Sequence, residues 1–245
     1  MIRDARRFPV VTKVAATLSF AAGLLLAGCS YQGDIDNPAT FKATWYSYLN
    51  GDDIRAACTE GSGSRYRLVY NADYNEQIRS YEVTDDGGGR VLVVRVQGPG
   101  GLRLSRFRFD DPLAWARWTK SEKVLSADQA RDLDAALERS GAFGPAPAGL
   151  QLFSKETYWI SSLCRDGVFA FNAWRFPSDR FEDLSFDELL FALDETGVAV
   201  RAPVAVPATA AAKANVPRQR QGADETGSFF AIKVGENGLV GQQGS

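Results

Sequence analysis

The sequence has no histidine, and this absence excludes more chemistry than any other feature of the composition. Histidine changes its charge between pH 5 and 8, which makes it the usual general base near neutral pH and a frequent zinc ligand. Ser-His-Asp and Cys-His catalysis and histidine-ligated zinc sites are therefore excluded. We expect no catalytic residue, no metal site and no cofactor in this chain.

Long apolar runs are also missing. Residues 14–27 form a run of fourteen uncharged, mostly apolar residues, whereas a membrane-spanning helix needs about 20 apolar residues. The run is too short for a permanent anchor, and no other segment is apolar enough to cross a membrane. It ends in small residues and follows a positively charged start, which is typical of an export signal. The positive charges are those of Arg3, Arg6, Arg7 and Lys13.

The run ends in Leu26-Ala27-Gly28-Cys29, which resembles the lipobox of bacterial lipoproteins, where small residues precede the cysteine that carries lipid. The resemblance implies a signal peptide at residues 1–28. It also implies a diacylglyceryl cysteine at Cys29, usually N-acylated as well, for example with palmitate. Such a protein contacts the membrane through its acyl chains, and two or more chains hold it firmly. The alternative is an ordinary secretory signal peptide with a coincidental cysteine.

The residue after Cys29 bears on the destination of the protein. In bacterial lipoproteins of the well-studied sorting type, Asp at this position retains the protein in the inner membrane, and Ser lets it pass to the outer membrane. Ser30 resembles the second class and implies an outer-membrane protein that faces the periplasm. The periplasmic side of the inner membrane is the alternative.

Acidic residues exceed basic residues further once the leader is removed. Residues 1–28 hold four positive charges and one negative charge, so their removal moves the formal net charge from −2 to −5. An acidic chain gives no support to a nucleic-acid partner. The remaining chain suits one domain with a tail and is long enough to bury a core.

Cysteine is scarce as well, with three in the chain. With Cys29 lipidated, Cys58 and Cys164 remain, and an exported protein resides where disulfides persist. We predict a disulfide between them, which leaves neither a thiolate nucleophile nor a cysteine-rich metal site. The alternative is two buried free thiols that act as small hydrophobic side chains.

Hydrophobic periodicity predicts an α+β fold, in which an antiparallel meander sheet of about five to seven strands packs with two or three short helices. Helices are predicted at residues 41–49, where an apolar stripe ends at Asn50-Gly51, and after capping boxes that begin at Ser126 and Ser185. Strands are predicted at residues 64–70, 74–84, 90–97, 102–109, 115–118, 155–165 and 167–176.

Composition divides the mature chain into three parts. Residues 29–40 predict a short polar tether, and residues 41–200 predict the periplasmic α+β domain. Residues 201–245 predict an alanine- and proline-rich linker followed by a flexible tail. A hairpin at residues 229–240 would need the main domain or a partner to order it, because isolated two-stranded hairpins are marginal in water. Residues 125–197 resemble a small α+β module of uncharacterised bacterial proteins, a resemblance that carries no functional residues.

Arginine is concentrated on the predicted sheet. If the strand arginines share a face, they form a surface suited to phosphate and carboxylate groups, which arginine binds through paired hydrogen bonds. The alternative is the solvated face of a sheet that is covered on one side only. The candidate anion-binding residues are Arg65, Arg67, Arg95, Arg103, Arg106 and Arg108.

Adjacent acidic residues recur along the chain, for example at Asp52-Asp53 and Asp194-Glu195. Glycosidases use two carboxylates across a cleft, but adjacent carboxylates on turns and in first helical turns mostly interact with solvent or with the helix dipole. Three functions follow in order of support. The first is a non-catalytic interaction or structural role with an envelope protein as partner, and no enzyme activity. The second is a binding module for anionic envelope polymers or lipid headgroups, and the third is a carboxylate-based hydrolase.

Overall fold

The computed structural model describes residues 30–85, 87–98, 117–207 and 229–244. Cys29, the strand predicted at 102–109 and residues 208–228 of the predicted linker and tail lie outside the described residues. The described elements, in chain order, are α1 (Pro38–Asn50), α2 (Asp52–Ala57), β1 (Arg65–Ala72), β2 (Gln77–Asp85), β3 (Arg90–Gln97), β4 (Thr119–Leu125), α3 (Ala127–Arg139), β5 (Gln151–Phe153), β6 (Thr157–Arg165), β7 (Val168–Arg175), α4 (Asp179–Glu182), α5 (Asp187–Leu193), β8 (Phe230–Val234) and β9 (Leu239–Gly244).

Six strands form one antiparallel sheet in the order β4-β3-β2-β1-β6-β7. Strands β1 to β4 are a meander. The β6–β7 hairpin pairs with the other side of β1, in a register that sets Arg65 opposite Cys164. The predicted α+β class with an antiparallel meander sheet is therefore confirmed. A second sheet of three strands, in the order β5-β8-β9, was not part of the prediction.

Both faces of the larger sheet are covered, and the side chains of each strand alternate between them. Tyr66, Leu68 and Tyr70 of β1 face the layer that contains α3 and α5, where Leu133 and Leu190 belong to the same buried cluster. These two helices bury the apolar stripes that their sequences predict. This face carries the larger of the two hydrophobic clusters.

The opposite face is covered by α1, by the segment before α1 and by the smaller sheet. Trp45 and Tyr48 of α1 belong to one buried cluster with Val69 and Ile160 of the larger sheet. The helix ends as predicted at Asn50, and Gly51 follows with φ 67°, a left-handed conformation that glycine adopts without strain. The polar residues described below lie under this covering layer.

The boundaries predicted for the domain need correction at both ends. Tyr31 and Ile35 are 5% and 1% exposed, so the described part of the predicted tether belongs to the fold. Near the C-terminus, β8 and β9 form the hairpin, and β8 also pairs with β5. This part of the predicted flexible tail is ordered, because the main domain supplies the third strand that an isolated hairpin lacks.

The predicted disulfide is present. Cys58 and Cys164 are bonded with their Cα atoms 5.7 Å apart, and 106 positions separate them in the sequence. The bond joins the residue after α2 to β6. Gly167, in the β6–β7 turn, approaches the same loop so closely that a Cβ atom there would lie 2.7 Å from the backbone nitrogen of Glu60. The disulfide and this contact hold the loop after α2 against the sheet.

Of the two predicted capping boxes, one is confirmed. Ser126 Oγ accepts the N–H of Gln129 at 3.2 Å, and Gln129 Oε1 accepts the N–H of Ser126 at 2.9 Å. The box predicted at Ser185 is wrong, because α5 begins at Asp187 and has no side-chain cap. The N–H of Ser185 instead donates to Ser140 Oγ at 2.9 Å, which ties the start of α5 to the end of α3.

Candidate functional site

Three of the six candidate arginines share one face of the larger sheet. Arg65 and Arg67 lie two positions apart on β1, and Arg95 lies on β3. Strand β2 runs between them and sets Glu82 directly opposite Arg67. With two carboxylates from the covering layer they form a network of ion pairs, the arginine–carboxylate cluster, which consists of Asp36, Asp53, Arg65, Arg67, Glu82 and Arg95.

Arg67 is at the centre of the cluster, with 1% of its side chain exposed. Its Nη1 and Nη2 atoms donate to the two carboxylate oxygens of Asp53 at 2.8 and 2.9 Å. Its Nε atom donates to Glu82 Oε1 at 2.7 Å, and Nη1 also donates to the backbone carbonyl of Tyr48 at 3.0 Å. The paired contact with Asp53 is the planar geometry in which arginine forms its strongest ion pairs.

Glu82 joins two of the arginines. While Oε1 accepts from Arg67, Oε2 accepts from Arg95 Nη1 at 2.8 Å. Burial by itself would raise the pKa of Glu82, but the charges of Arg67 and Arg95 and their hydrogen bonds lower it to about 2. Glu82 is therefore ionised at neutral pH and has no proton to give as a general acid.

The outer members of the cluster connect the sheet to the layer above it. Arg95 Nε donates to Asp36 Oδ1, in the segment before α1, at 2.9 Å. Arg65 Nη2 donates to Asp53 Oδ2, in α2, at 2.8 Å. Ion pairs thereby fix both α2 and the N-terminal segment to the strands below them.

Two tyrosine rings pack on the central guanidinium. The Cζ atom of Arg67 lies 3.8 Å from the ring centroid of Tyr48 and 5.0 Å from that of Tyr31, and such cation–π contacts are strongest where water is excluded. Burial, with a further contribution from Glu82, raises the pKa of both tyrosines. Both hydroxyls are therefore neutral at physiological pH, and that of Tyr48 contacts Ser80 Oγ.

The structure corrects the predicted arginine-lined binding surface. The side chains of Arg67 and Arg95 are 1% and 12% exposed, because α1, α2 and the N-terminal segment cover this face of the sheet. Arg65 is more exposed, at 38%, and is paired with Asp53. The face is neither open nor rich in unpaired positive charge. The other three candidates lie outside the described residues: Arg103, Arg106 and Arg108.

A second buried ion pair, which the sequence did not predict, lies on the opposite face of the sheet. Arg79 of β2 pairs with Asp194 at the end of α5, and their side chains are 0% and 3% exposed. Arg79 Nε donates to Gln77 Oε1 at 3.0 Å, and Gln77 Nε2 donates to the carbonyl of Ala199 at 2.9 Å. The signal that could have found Arg79 is its parity with Tyr81, which places both on the apolar face of β2.

Two carboxyl groups outside these pairs have raised pKa values. Burial raises the pKa of Asp73 and of Glu156, a property that acid catalysts share. Each of them accepts a nearby backbone N–H: Asp73 from Asn75 and Glu156 from Phe153, both at 3.1 Å. Hydrogen bonds of this kind stabilise turns. Within the residues that the structure describes, acidic and cysteine side chains form no group of three or more that could hold a metal ion.

The geometry of the cluster supports cohesion of the fold. Each of its arginines lies 2.7–2.9 Å from a carboxylate oxygen, and the partners come from four separate segments of the chain. Ionised carboxylates held by guanidinium groups are acceptors that are already occupied. The arrangement joins α2, the N-terminal segment and three strands.

No family model, curated protein or solved structure matches this chain. Across the ranges that the structure describes, no helix has the length and apolar character that a membrane span requires. The function is therefore argued from the lipobox resemblance and from the geometry above.

Proposed function

We propose that this protein is a lipid-anchored component of the bacterial envelope with a non-catalytic interaction or structural role. In this proposal Cys29 carries the lipid in the outer membrane, and the described domain faces the periplasm and docks an envelope partner.

Two observations support export and anchoring. All four positions of Leu26-Ala27-Gly28-Cys29 fit a lipobox, and this motif directly follows the apolar run of the leader. The Cys58–Cys164 disulfide joins residues that are 106 positions apart, and such bonds persist in oxidising compartments such as the periplasm. The outer membrane is favoured over the inner membrane by Ser30.

The non-catalytic assignment rests on one observation, the mutual neutralisation of the charged residues on both faces of the sheet. Arg67, Glu82 and Arg95 satisfy one another on one face, and Arg79 and Asp194 do so on the other. Charges used in this way hold layers together and offer little to a substrate. The second candidate, an anion-binding arginine face, loses support because its central members are buried and paired.

Fractionation of cells that produce the protein tests the anchor. The wild-type protein is expected in the membrane fraction, released by detergent and retained in high salt. The control replaces residues 1–28 with an ordinary secretory leader and carries Cys29→Ser; it is expected in the soluble periplasmic fraction. Membrane association that persists in the control would rule out the lipid as the anchor.

Size analysis of the detergent-solubilised protein tests the interaction role. Protein extracted from native membranes is expected to elute as a larger species than the same protein purified and returned to detergent alone. Equal elution of the two samples would count against a stable partner.

A further inference from the structure

The segment between the lipobox and α1 is part of the folded core. The backbone N–H of Tyr31 donates to Ser47 Oγ of α1 at 2.9 Å, and the Tyr31 ring meets the Tyr48 ring edge-on at 4.9 Å. Further along, the carbonyl of Ile35 accepts the Trp118 Nε1 hydrogen at 3.0 Å. Contacts at both ends fix this segment, and Tyr31 is 5% exposed.

The covalent chain leaves little distance between this fixed point and Cys29. Two residue steps join Cys29 to Tyr31, and consecutive residues span at most about 3.6 Å each. The Cα atom that would carry the lipidated side chain therefore lies within about 7 Å of the Cα atom of Tyr31. A flexible tether of the predicted length would have allowed a much larger range.

We propose that the domain lies directly on the lipid headgroup layer, with the N-terminal segment and α1 facing the membrane. This inference depends on the proposed lipid anchor at Cys29. The membrane-facing surface consists of the exposed residues of this layer, which include Gln32, Asp34, Lys42 and Ala43. The partner is the headgroup layer of the bilayer that holds the lipid.

The composition of this surface indicates contact without insertion. Among the described residues, the exposed large hydrophobic side chains lie at Val124 and beyond, so residues 30–43 contribute none. Asp34 and Asp36 are exposed carboxylates, and charged groups are costly to place in hydrocarbon. The acyl chains of Cys29 supply the attachment, and the folded segment sets the orientation.

The opposite surface of the molecule then faces away from the membrane. Helix α5 packs on the other face of the sheet, as Leu190 and Leu193 show, and its Ala192 is exposed. Because packed layers are about 10 Å apart, a helix on each side of the sheet separates Ala43 from Ala192 by about 20 Å or more. Partner proteins in the periplasm therefore meet the α3 and α5 side first.

Spin labels on single introduced cysteines test the orientation. Gln32→Cys and Ala43→Cys report the proposed membrane side, and Ala192→Cys is the matched control on another exposed helix position. Labelling proceeds without reductant, and intact mass verifies the Cys58–Cys164 disulfide. The lipidated protein is reconstituted in vesicles that contain a nickel-chelating lipid, whose metal ion speeds the relaxation of nearby labels.

The expected result is a several-fold larger relaxation enhancement at positions 32 and 43 than at position 192. Equal enhancement at the three positions would overturn the orientation. A flexible insert of about ten glycine and serine residues between Ser30 and Tyr31, with a reach of roughly 18 Å, is expected to remove most of the difference. A difference that survives this insert would show that the short connection does not set the orientation.

Flotation of the same vesicles separates the two proposals. Protein that floats with the vesicles, and that carries a lipid by mass, but shows equal labels contradicts the orientation alone. Protein that does not float and carries no lipid at Cys29 contradicts the proposed function, and with it the orientation.

Discussion

The side chain of Arg67 is 1% exposed and contacts two carboxylates, so its removal leaves two negative charges buried without their main partner. Loss of one partner from a buried ion pair costs about 3–5 kcal/mol. We expect Arg67→Met to lower the free energy of unfolding, measured by urea titration, by about 3–5 kcal/mol.

The matched control is Arg131→Met. Arg131 pairs with Asp128 within α3, and its side chain is 73% exposed. Exposed pairs contribute little, so the control is expected to change the free energy of unfolding by less than about 1 kcal/mol. Similar losses in the two variants would show that the buried cluster does not stabilise the fold as described.

Glu82 makes stability depend on acid pH. Its pKa is about 2 in the folded protein, below the usual 4.5. The ionised form is therefore favoured by folding, and this contribution is complete above pH 4.5 and is lost as the pH falls towards 2. The shift corresponds to about 3 kcal/mol. We expect unfolding free energies between pH 6 and pH 2.5 to fall more steeply in the wild-type protein than in Glu82→Gln. Parallel curves for the two proteins would contradict the assignment.

At the scale of single residues, the sequence predicted which arginines share a face but not that the face is covered. The alternation of Arg65 and Arg67 is typical of the solvated side of a strand, because charged side chains are rarely buried. The residues that cover them include Tyr31 and Ile35, which lie in a segment with the composition of a tether. Contacts that bring such distant segments together leave no local pattern in the chain.

Strand β8 shows how the C-terminal hairpin contributes to the fold. Ile232 lies in β8 with 2% exposure, in the buried cluster that includes α1. We expect Ile232→Ala to lower the free energy of unfolding by about 2–4 kcal/mol, because a cavity replaces the lost methyl groups. Lys233→Ala, at the exposed neighbouring position, is the control and is expected to change it by less than about 0.5 kcal/mol. Equal effects would mean that the hairpin is not packed on the domain.

The disulfide is the second element-scale contribution. It closes a loop of 106 positions, for which loop entropy gives a stabilisation of at most about 5 kcal/mol. We expect the double variant Cys58→Ala and Cys164→Ala to melt at a markedly lower temperature than the wild-type protein. Reductant should lower the melting temperature of the wild-type protein and leave that of the double variant unchanged. A wild-type protein that is insensitive to reductant would contradict a stabilising bond.

Elements with strong local signals were predictable from the sequence, and those without them were not. The Ser126 box and the stripe of α1 gave correct helices, since capping and periodicity are local properties. Helix α2 has six residues, too few for a periodic pattern, and residues 52–64 therefore resembled a loop. Strand β4 covers Thr119–Leu125, where charged residues alternate along an edge strand, whereas the aromatic residues at 115–118 had suggested the strand just before it.

At the scale of the whole molecule, the sheet is a central layer with a different covering on each face. One side carries α3 and α5, and the other carries α1, the N-terminal segment and the smaller sheet. The N-terminal segment belongs to the second side through Tyr31 and Asp36. The position of the lipid therefore decides which side faces the membrane and which side is available to a partner.

The measurement that tests this account most directly is the intact mass of the protein extracted from its native membranes, denatured without reductant. The account predicts a chain that begins at Cys29, carries a diacylglyceryl adduct with or without a further acyl chain, and lacks two hydrogens because of the Cys58–Cys164 disulfide. An unmodified chain that begins at another residue would contradict the lipid anchor, and with it the proposed placement of the domain on the membrane.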